Sequence, residues 1–394
     1  MLNTSAAAFY LGRDLADPQI PIGIIDLNMG HGFPVWWMSR EAQLETEKFY
    51  GHSDVPGNVK RMENLAALQA AGEPMPHKEV IRSDPVSYAL YPAAGYNAVL
   101  YPLRGLAVKA VLLQLGNDYP YMIYDDLEKT GKQVDRKELD RAYVETYNIR
   151  KVGYRMEPVT VPRIPRELRK TLADEATPIG LIVPPGSQLN TLGQHHREMR
   201  ELQRQIASEN PNMGLILPGT QPVLFSAQPK EEQLLAERAR HWVVGQVFGK
   251  ADVVATGPMI DRVETDFNEA TVYFKPGTAK GLRDTGGGLA SFEVAGLDSE
   301  YVPADAEIDG DVVRLTSDQI NRIVYVRYDW KQMPSQGLVN AAGLPAMPFR
   351  TEQAGYHWFV TNEEDDLPME YSTPANQWKG GDVTLVNGQL KTHG

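Results

Sequence analysis

Over the first 250 residues, short unbroken aliphatic runs alternate with stretches of helical period. Residues 4–16 (TSAAAFYLGRDLA) predict a helix, with Thr4 or Ser5 placed to cap it. Ile20–Leu27 (IPIGIIDL) is nearly all β-branched or aliphatic, the pattern of a strand buried on both faces. The same pattern returns at Leu106–Leu115, Ile179–Val183 and Met213–Leu217. Helical period lies between the last two, around His195–Ser208, and returns at Lys230–Phe248. Buried strands alternating with helices predict a parallel sheet with helices on its faces. Tyr119–Pro165, rich in Tyr, Lys and Asp, reads as an insertion or a long helical excursion rather than core.

Near residue 250 the texture changes. From Ala251 to about Thr351 the apolar runs are short, alternating and separated by turn residues: ATVYF, FEVAG, DVVRL and RIVYVRY. That pattern predicts an antiparallel β-domain. The remaining residues hold aromatics, the acidic run Glu363–Asp366 and one hairpin signal, Asn387-Gly388. The expected organisation is an α/β domain over 1–250, a β-sandwich domain over 251–352 and an extension over 353–394. No internal repeat is present.

Composition narrows the function classes. The 394 residues carry 39 Lys+Arg against 51 Asp+Glu, a formal net charge of −12, which disfavours nucleic acid as a general partner. Cysteine is absent, which excludes disulfides, thiolate metal sites and a cysteine nucleophile. No apolar run approaches the roughly 20 residues a membrane helix needs, and no signal peptide follows Met1. The compartment is not set by these features. No metal or cofactor is called for.

The strong catalytic motifs are missing: there is no G-x-S-x-G elbow, no G-x-x-x-x-G-K-[ST] loop and no H-E-x-x-H helix. Gly286–Gly288 lies in the β-half without a following Lys or helix, and reads as a turn. His195 and His196 are neighbours on a helix and point in different directions, so they read as a solvated face. Gly51-His52-Ser53-Asp54 places a serine beside a base, in a polar loop with no oxyanion donors in view. Two turns at the carboxyl ends of expected strands are better placed. Gly30-His31-Gly32 follows Ile20–Leu27, and Gly116-Asn117-Asp118 follows Leu106–Leu115. Glycine N–H groups and an asparagine amide are what an oxyanion needs. The same residues also suit plain strand-to-helix turns.

Several blocks together resemble the sialate O-acetylesterase-like branch of the SGNH hydrolases. They are Pro21-Ile-Gly-Ile-Ile with Gly30 and Trp37, then Tyr96-Asn97, Pro102-Leu103 and Val108-Lys109, and then Gln228-Pro229 with Glu237-Arg238-Ala239. The β-half adds Phe292–Gly296, Val326-Arg-Tyr-Asp-Trp330 and Gly343-Leu-Pro-Ala-Met-Pro-Phe-Arg-Thr351, the most specific part. The resemblance implies an SGNH (flavodoxin-like) α/β fold, a parallel three-layer sheet followed by an antiparallel β-sandwich. It also implies a carbohydrate O-acetylesterase ancestry, and relatives that are often secreted or periplasmic.

The departures change the expected activity. The family's "GQSNM" nucleophile block precedes the "PVGLI" strand, and this chain begins after where that block would stand. The family's triad Asp and His lie in "DIHP"; matching Pro229 and Arg238 places Ser226 and Gln228 there. A Gln amide does not bind a proton near neutral pH. The "QGES" stretch reads Leu115-Gly116-Asn117-Asp118 and the "WGGT" stretch Met29-Gly30-His31-Gly32. An oxyanion-type floor of Gly30, Gly116 and Asn117 survives, with His31 and Ser53 as weak substitutes for base and nucleophile. Aromatics near these blocks, Trp36, Trp37 and Tyr96 among them, are candidates to stack on sugar rings. The expectation is a non-catalytic protein that binds carbohydrate or an acetylated glycan, or serves in assembly. The alternatives are an active esterase completed by upstream residues or a partner chain, and a purely structural subunit. A sheet without its first strand also calls for a filler: the insertion, the C-terminal extension, a protein partner or a second copy.

Overall fold

The fold is described from a computed structural model over residues 5–27 apart from 18 and 20, 37–42, 67, 70–72, 95–115, 160–186, 190–220 and 229–352. The backbone of five further strands between 359 and 392 completes the described part.

Three parallel strands form the first sheet: β1 (Val111–Gln114), β2 (Ile179–Ile182) and β3 (Met213–Ile216), in the order β1-β2-β3. Alternation along them sends side chains to two faces. Leu113, Ile179, Leu181, Val183, Leu215 and Leu217 join one core with helix α2 (Ile164–Leu172) and helix α3 (Asn190–Glu209). Leu112, Ile182 and Ile216 face the other way, toward helix α1 (Ala6–Leu15) and helix α4 (Pro229–Trp242). The result is a three-layer α/β sandwich, as the alternation of runs predicts.

Close packing on the second face depends on glycine. Trp242, wholly buried, lays its indole across Gly180 and Gly214. A methyl group at Gly214 would overlap the indole nitrogen, and one at Gly180 would meet ring carbons at 3.0 Å. Helix α1 opens behind Ser5, whose Oγ accepts from the Ala8 N–H at 3.4 Å, and α4 holds it through the Arg240 Nε donated to the Asp14 carbonyl at 3.1 Å.

The second domain is antiparallel throughout. Strands β4 (Ile260–Asp266), β5 (Glu269–Phe274), β9 (Asp305–Asp309) and β10 (Val312–Thr316) form a sheet in the order β4-β5-β10-β9. Strands β7 (Phe292–Ala295), β8 (Val302–Pro303), β11 (Tyr325–Tyr328) and β13 (Phe349–Arg350) form another, in the order β13-β11-β7-β8. Val272, Val313 and Leu315 of the first sheet share one core with Phe292, Val294, Val326, Tyr328 and Phe349 of the second. The outward positions stay polar, as at Arg314, which pairs with Asp309 across the β9–β10 hairpin. Two short strands, β6 (Arg283–Asp284) and β12 (Leu338–Val339), pair beside them. Beyond residue 358, strands β14 (Phe359–Thr361) and β15 (Pro368–Glu370) pair together, and β16 (Gln377–Gly380), β17 (Val383–Val386) and β18 (Gln389–Thr392) form a meander. Val386 pairs with Gln389, so Asn387-Gly388 is the loop of a two-residue hairpin, as its sequence predicts.

Four expectations need correction. Pro21–Leu27 is not a buried strand: among the described residues it pairs with no strand, and Ile22, Ile24, Ile25 and Leu27 are exposed. Pro21 lacks an N–H, Gly23 weakens a ladder, and apolar composition alone supplies no neighbour to pair with. The last part of the expected insertion belongs to the core, since Val161, Ile164 and Pro165 are buried; the apolar face of α2 needs them. His196 is wholly buried rather than solvated, because both faces of α3 are covered there. The C-terminal extension does not fill the sheet, since its strands pair only among themselves. Among the described residues no strand pairs with the outer edge of β1; residues 116–159 lie outside them.

Candidate functional site

Ligands of open parallel sheets collect where the strands end. Here β1 leaves at Leu115, β2 runs into Val183–Gly186 and β3 into Leu217–Thr220. Each exit is held by a polar side chain on a helix, buried for Arg200 and Gln203 and half-buried for Arg238.

Arg200 on α3 is wholly buried, and its Nη1 donates to the Pro184 and Pro185 carbonyls at 3.3 and 3.1 Å. Its Nη2 donates to the Lys331 carbonyl at 2.8 Å, which ties the β2 exit to the second domain. Burial pushes this guanidinium down to about 10, against the pull of Asp329. The ring Nδ1 of His196 meets the Pro185 carbonyl at 2.9 Å. Arg238 on α4 serves the β3 exit, donating to the Leu217 and Pro218 carbonyls at 3.0 and 2.7 Å and to the Gln336 side chain at 2.8 Å. Burial holds it down to about 10 as well. At the β1 exit Gln203, wholly buried on α3, donates its Nε2 to the Leu115 carbonyl at 3.1 Å.

A loop of the second domain covers this edge. The Asp329 carboxylate accepts from the N–H groups of Ser335 and Gln336 at 2.9 and 3.0 Å, which shapes the loop between them. Met333 then rests on Gly186, where any side chain would collide with it, and the Gln336 amide donates to the Pro218 carbonyl at 2.9 Å. A second tie runs from Glu198 on α3 to Arg350 on β13, 2.9 Å apart and both buried. Arg350 also stacks over Trp330 at 4.7 Å. Burial pushes the Glu198 carboxyl up despite the adjacent Arg350, because desolvation outweighs that attraction.

The sequence-level candidates fare unevenly. Gly30, His31, Trp36, Ser53, Gly116, Asn117, Asp118, Ser226 and Gln228 lie outside the described residues. Trp37 and Tyr96 are described, and both pack against the α/β core. Arg200 and Gln203 were not singled out by sequence, and Arg238 entered only as part of a resemblance block. Arg200 and Gln203 lie on the helix whose His195 and His196 read as a solvated face, and a polar residue facing buried carbonyls leaves no different trace in the pattern. Among the described residues no group of three or more His, Asp or Glu is arranged to hold a metal, and no helix is long and apolar enough to cross a membrane.

No family model matches the chain, and no curated protein matches it. A solved structure does. The chain is similar in fold to a carbohydrate acetylesterase. That enzyme, from Xanthomonas citri, aligns with a TM-score of 0.58 and 21% identity, over 88% of this chain and 65% of its own. At that identity the likeness is one of fold, and this chain spans less than two thirds of the enzyme's length.

Proposed function

We propose that the chain is a carbohydrate-binding protein on an acetylesterase-type fold, without a working hydrolytic triad, that engages acetylated or plain glycan where β1–β3 end. The observation that carries this reading is the likeness of fold to a carbohydrate acetylesterase over 88% of the chain. Open α/β sheets place their ligands at the strands' carboxyl ends, and carbohydrate as the ligand class is drawn from the fold likeness by analogy.

The case against catalysis is chemical. Ester hydrolysis by a serine route needs an imidazole that takes the serine proton and a carboxylate that orients the imidazole. Ser226 and Gln228, at the positions matching the family's acid and base, do not bind a proton near pH 7. Of the histidines with described side chains, His196 is wholly buried and out of a substrate's reach. His241 lies in the last turn of α4, at the end of the layer away from the strand exits, with Nδ1 on the Val254 carbonyl at 3.0 Å. The division into domains at 250 and 352 belongs to the same proposal.

The test uses the purified chain and two measurements. Binding of acetylated and deacetylated xylo-oligosaccharides is followed by calorimetry, and hydrolysis of an aryl acetate is followed beside a His31→Ala variant. Saturable glycan binding with background hydrolysis in both proteins is expected. Turnover well above buffer that disappears in His31→Ala overturns the non-catalytic reading and makes Ser53 the next residue to replace. Absence of both binding and turnover leaves the structural-subunit reading.

A further inference from the structure

We propose that Phe267 is a stacking platform for a neutral sugar ring, a second glycan contact set apart from the strand exits. Carbohydrate as the ligand class rests on the function proposed above. Asp266 pairs with Glu269, so Phe267 and Asn268 form the two-residue loop between β4 and β5. Phe267 takes φ +49° at the first of these positions, where such loops favour Gly. A phenylalanine is strained there, because its Cβ crowds the backbone.

Burial does not offset that strain. Phe267 is 74% exposed, on a tip pinned from both sides. Its carbonyl accepts from the Ile323 N–H at 2.6 Å, and the Asn268 carbonyl accepts from the Ser317 N–H at 3.2 Å. Neither backbone conformation nor core packing selects an aromatic residue at this position, which leaves a contact from outside the chain. The turn after β7 adds Leu297, 82% exposed. Both turns are tied to one segment, since the Val324 N–H donates to the Ala295 carbonyl at 2.8 Å, next to the Ile323 bond to Phe267.

Size and charge select the ligand. An aromatic ring offers on the order of 200 Å², whereas a stable protein interface needs about 1,000 Å². One phenyl ring beside one leucine matches the apolar face of a sugar ring and is too small for a protein partner. Asp266, Glu269, Asp298 and Asp318 are exposed in or next to the connections 267–268, 296–301 and 317–324, whose single base is Arg322. Their carboxylates can accept from sugar hydroxyls and repel an anionic glycan. Ile323 precedes β11 and Asp329 follows it, so the four residues of β11 put roughly 13 Å between this platform and the loop that covers the strand exits.

The experiment is calorimetry on the full chain with xylohexaose, and with oligogalacturonate of the same length. Phe267→Asn removes the ring and relieves the backbone, since Asn tolerates positive φ. It should raise the melting temperature by about 2 °C and weaken this xylohexaose site about tenfold. Phe267→Trp keeps an aromatic face and should retain binding within about twofold. Oligogalacturonate should bind the wild type about tenfold more weakly than xylohexaose.

Coincident xylohexaose isotherms for wild type and Phe267→Asn overturn the inference. So does a loss of binding in Phe267→Trp, or a fall in the melting temperature of Phe267→Asn, which would make the ring part of the fold. Equal binding of oligogalacturonate overturns the choice of a neutral sugar. Self-association of the wild type that Phe267→Asn abolishes, followed by sedimentation, assigns the tip to a second copy and overturns it too. Binding at the strand exits is read separately: it survives in Phe267→Asn if that reading holds, and only the Phe267 site is seen in the wild type if it fails.

Discussion

Between its two sheets the second domain packs a hydrocarbon core. Phe292, Tyr328 and Phe349 lie with ring centroids 4.7 to 6.5 Å apart, over Val272, Val313 and Leu315 from the facing sheet. In the α/β domain a single helix, α3, buries His196, Glu198, Arg200, Glu201 and Gln203 beside Met199, Leu202 and Ile206. Their partners include backbone carbonyls at the strand exits and, for Glu198 and Arg200, the second domain itself. The first arrangement is held by area removed from water, which needs no particular geometry. The second is held by directional bonds, several of which fix backbone at the strand exits.

The comparison can be tested by substitution. Phe292→Ala should cause the largest loss, about 4 kcal/mol in urea unfolding, from the aromatic contacts and the cavity it leaves. A loss under 1 kcal/mol would mean that the sandwich core is loose. Arg350→Met should cost about 3 kcal/mol, since it leaves Glu198 buried and unpaired. Arg350→Met combined with Glu198→Met should restore most of that, because the pair's attraction is largely offset by desolvation. Failure of the double variant to recover would show that the ion pair itself stabilises the contact between domains. Gly214→Ala should cost about 2 kcal/mol by driving the Trp242 indole off the sheet, with a red shift in its fluorescence as the check.

A pH profile separates the two regions further. Burial raises the Glu198 carboxyl in the folded state, so the folded chain holds its proton more tightly than the unfolded chain does. That contribution is fully present below the ordinary glutamate value of about 4.5 and is lost as pH rises through the raised folded value. Glu198→Gln should flatten this part of the stability curve, whereas Phe292→Ala should lower the whole curve without changing its slope. The smallest effect belongs to Ser5→Ala. At 3.4 Å its cap on α1 is long, and its loss should lower stability by about 0.5 kcal/mol.

Much of this architecture was legible before the structure. Strands β2 and β3, helices α1, α3 and α4, and the β-domain follow from period and turn chemistry, because those patterns state which face of an element must be covered. The site was less legible. His196, Arg200 and Gln203 sit among charged neighbours on α3, and one-dimensional polarity does not distinguish water from a buried carbonyl as the partner. The expected strand at Ile20–Leu27 failed for the converse reason: Ile22, Ile24, Ile25 and Leu27 can be buried, yet among the described residues no strand covers them.

The sequence by itself determined that this chain folds as a parallel α/β layer followed by an antiparallel domain. That follows from local information, the hydrophobic period and the turn chemistry between elements. Only the tertiary structure decided that a loop of the second domain closes on the strand exits through Arg200, Arg238, Met333 and Gln336, and that Gln203 holds the Leu115 carbonyl. Those partners are 88 to 131 residues apart in the chain for Gln203–Leu115 and Arg200–Lys331. Hydrogen bonds have a range of about 3 Å, so what a polar side chain binds depends on what folding brings beside it.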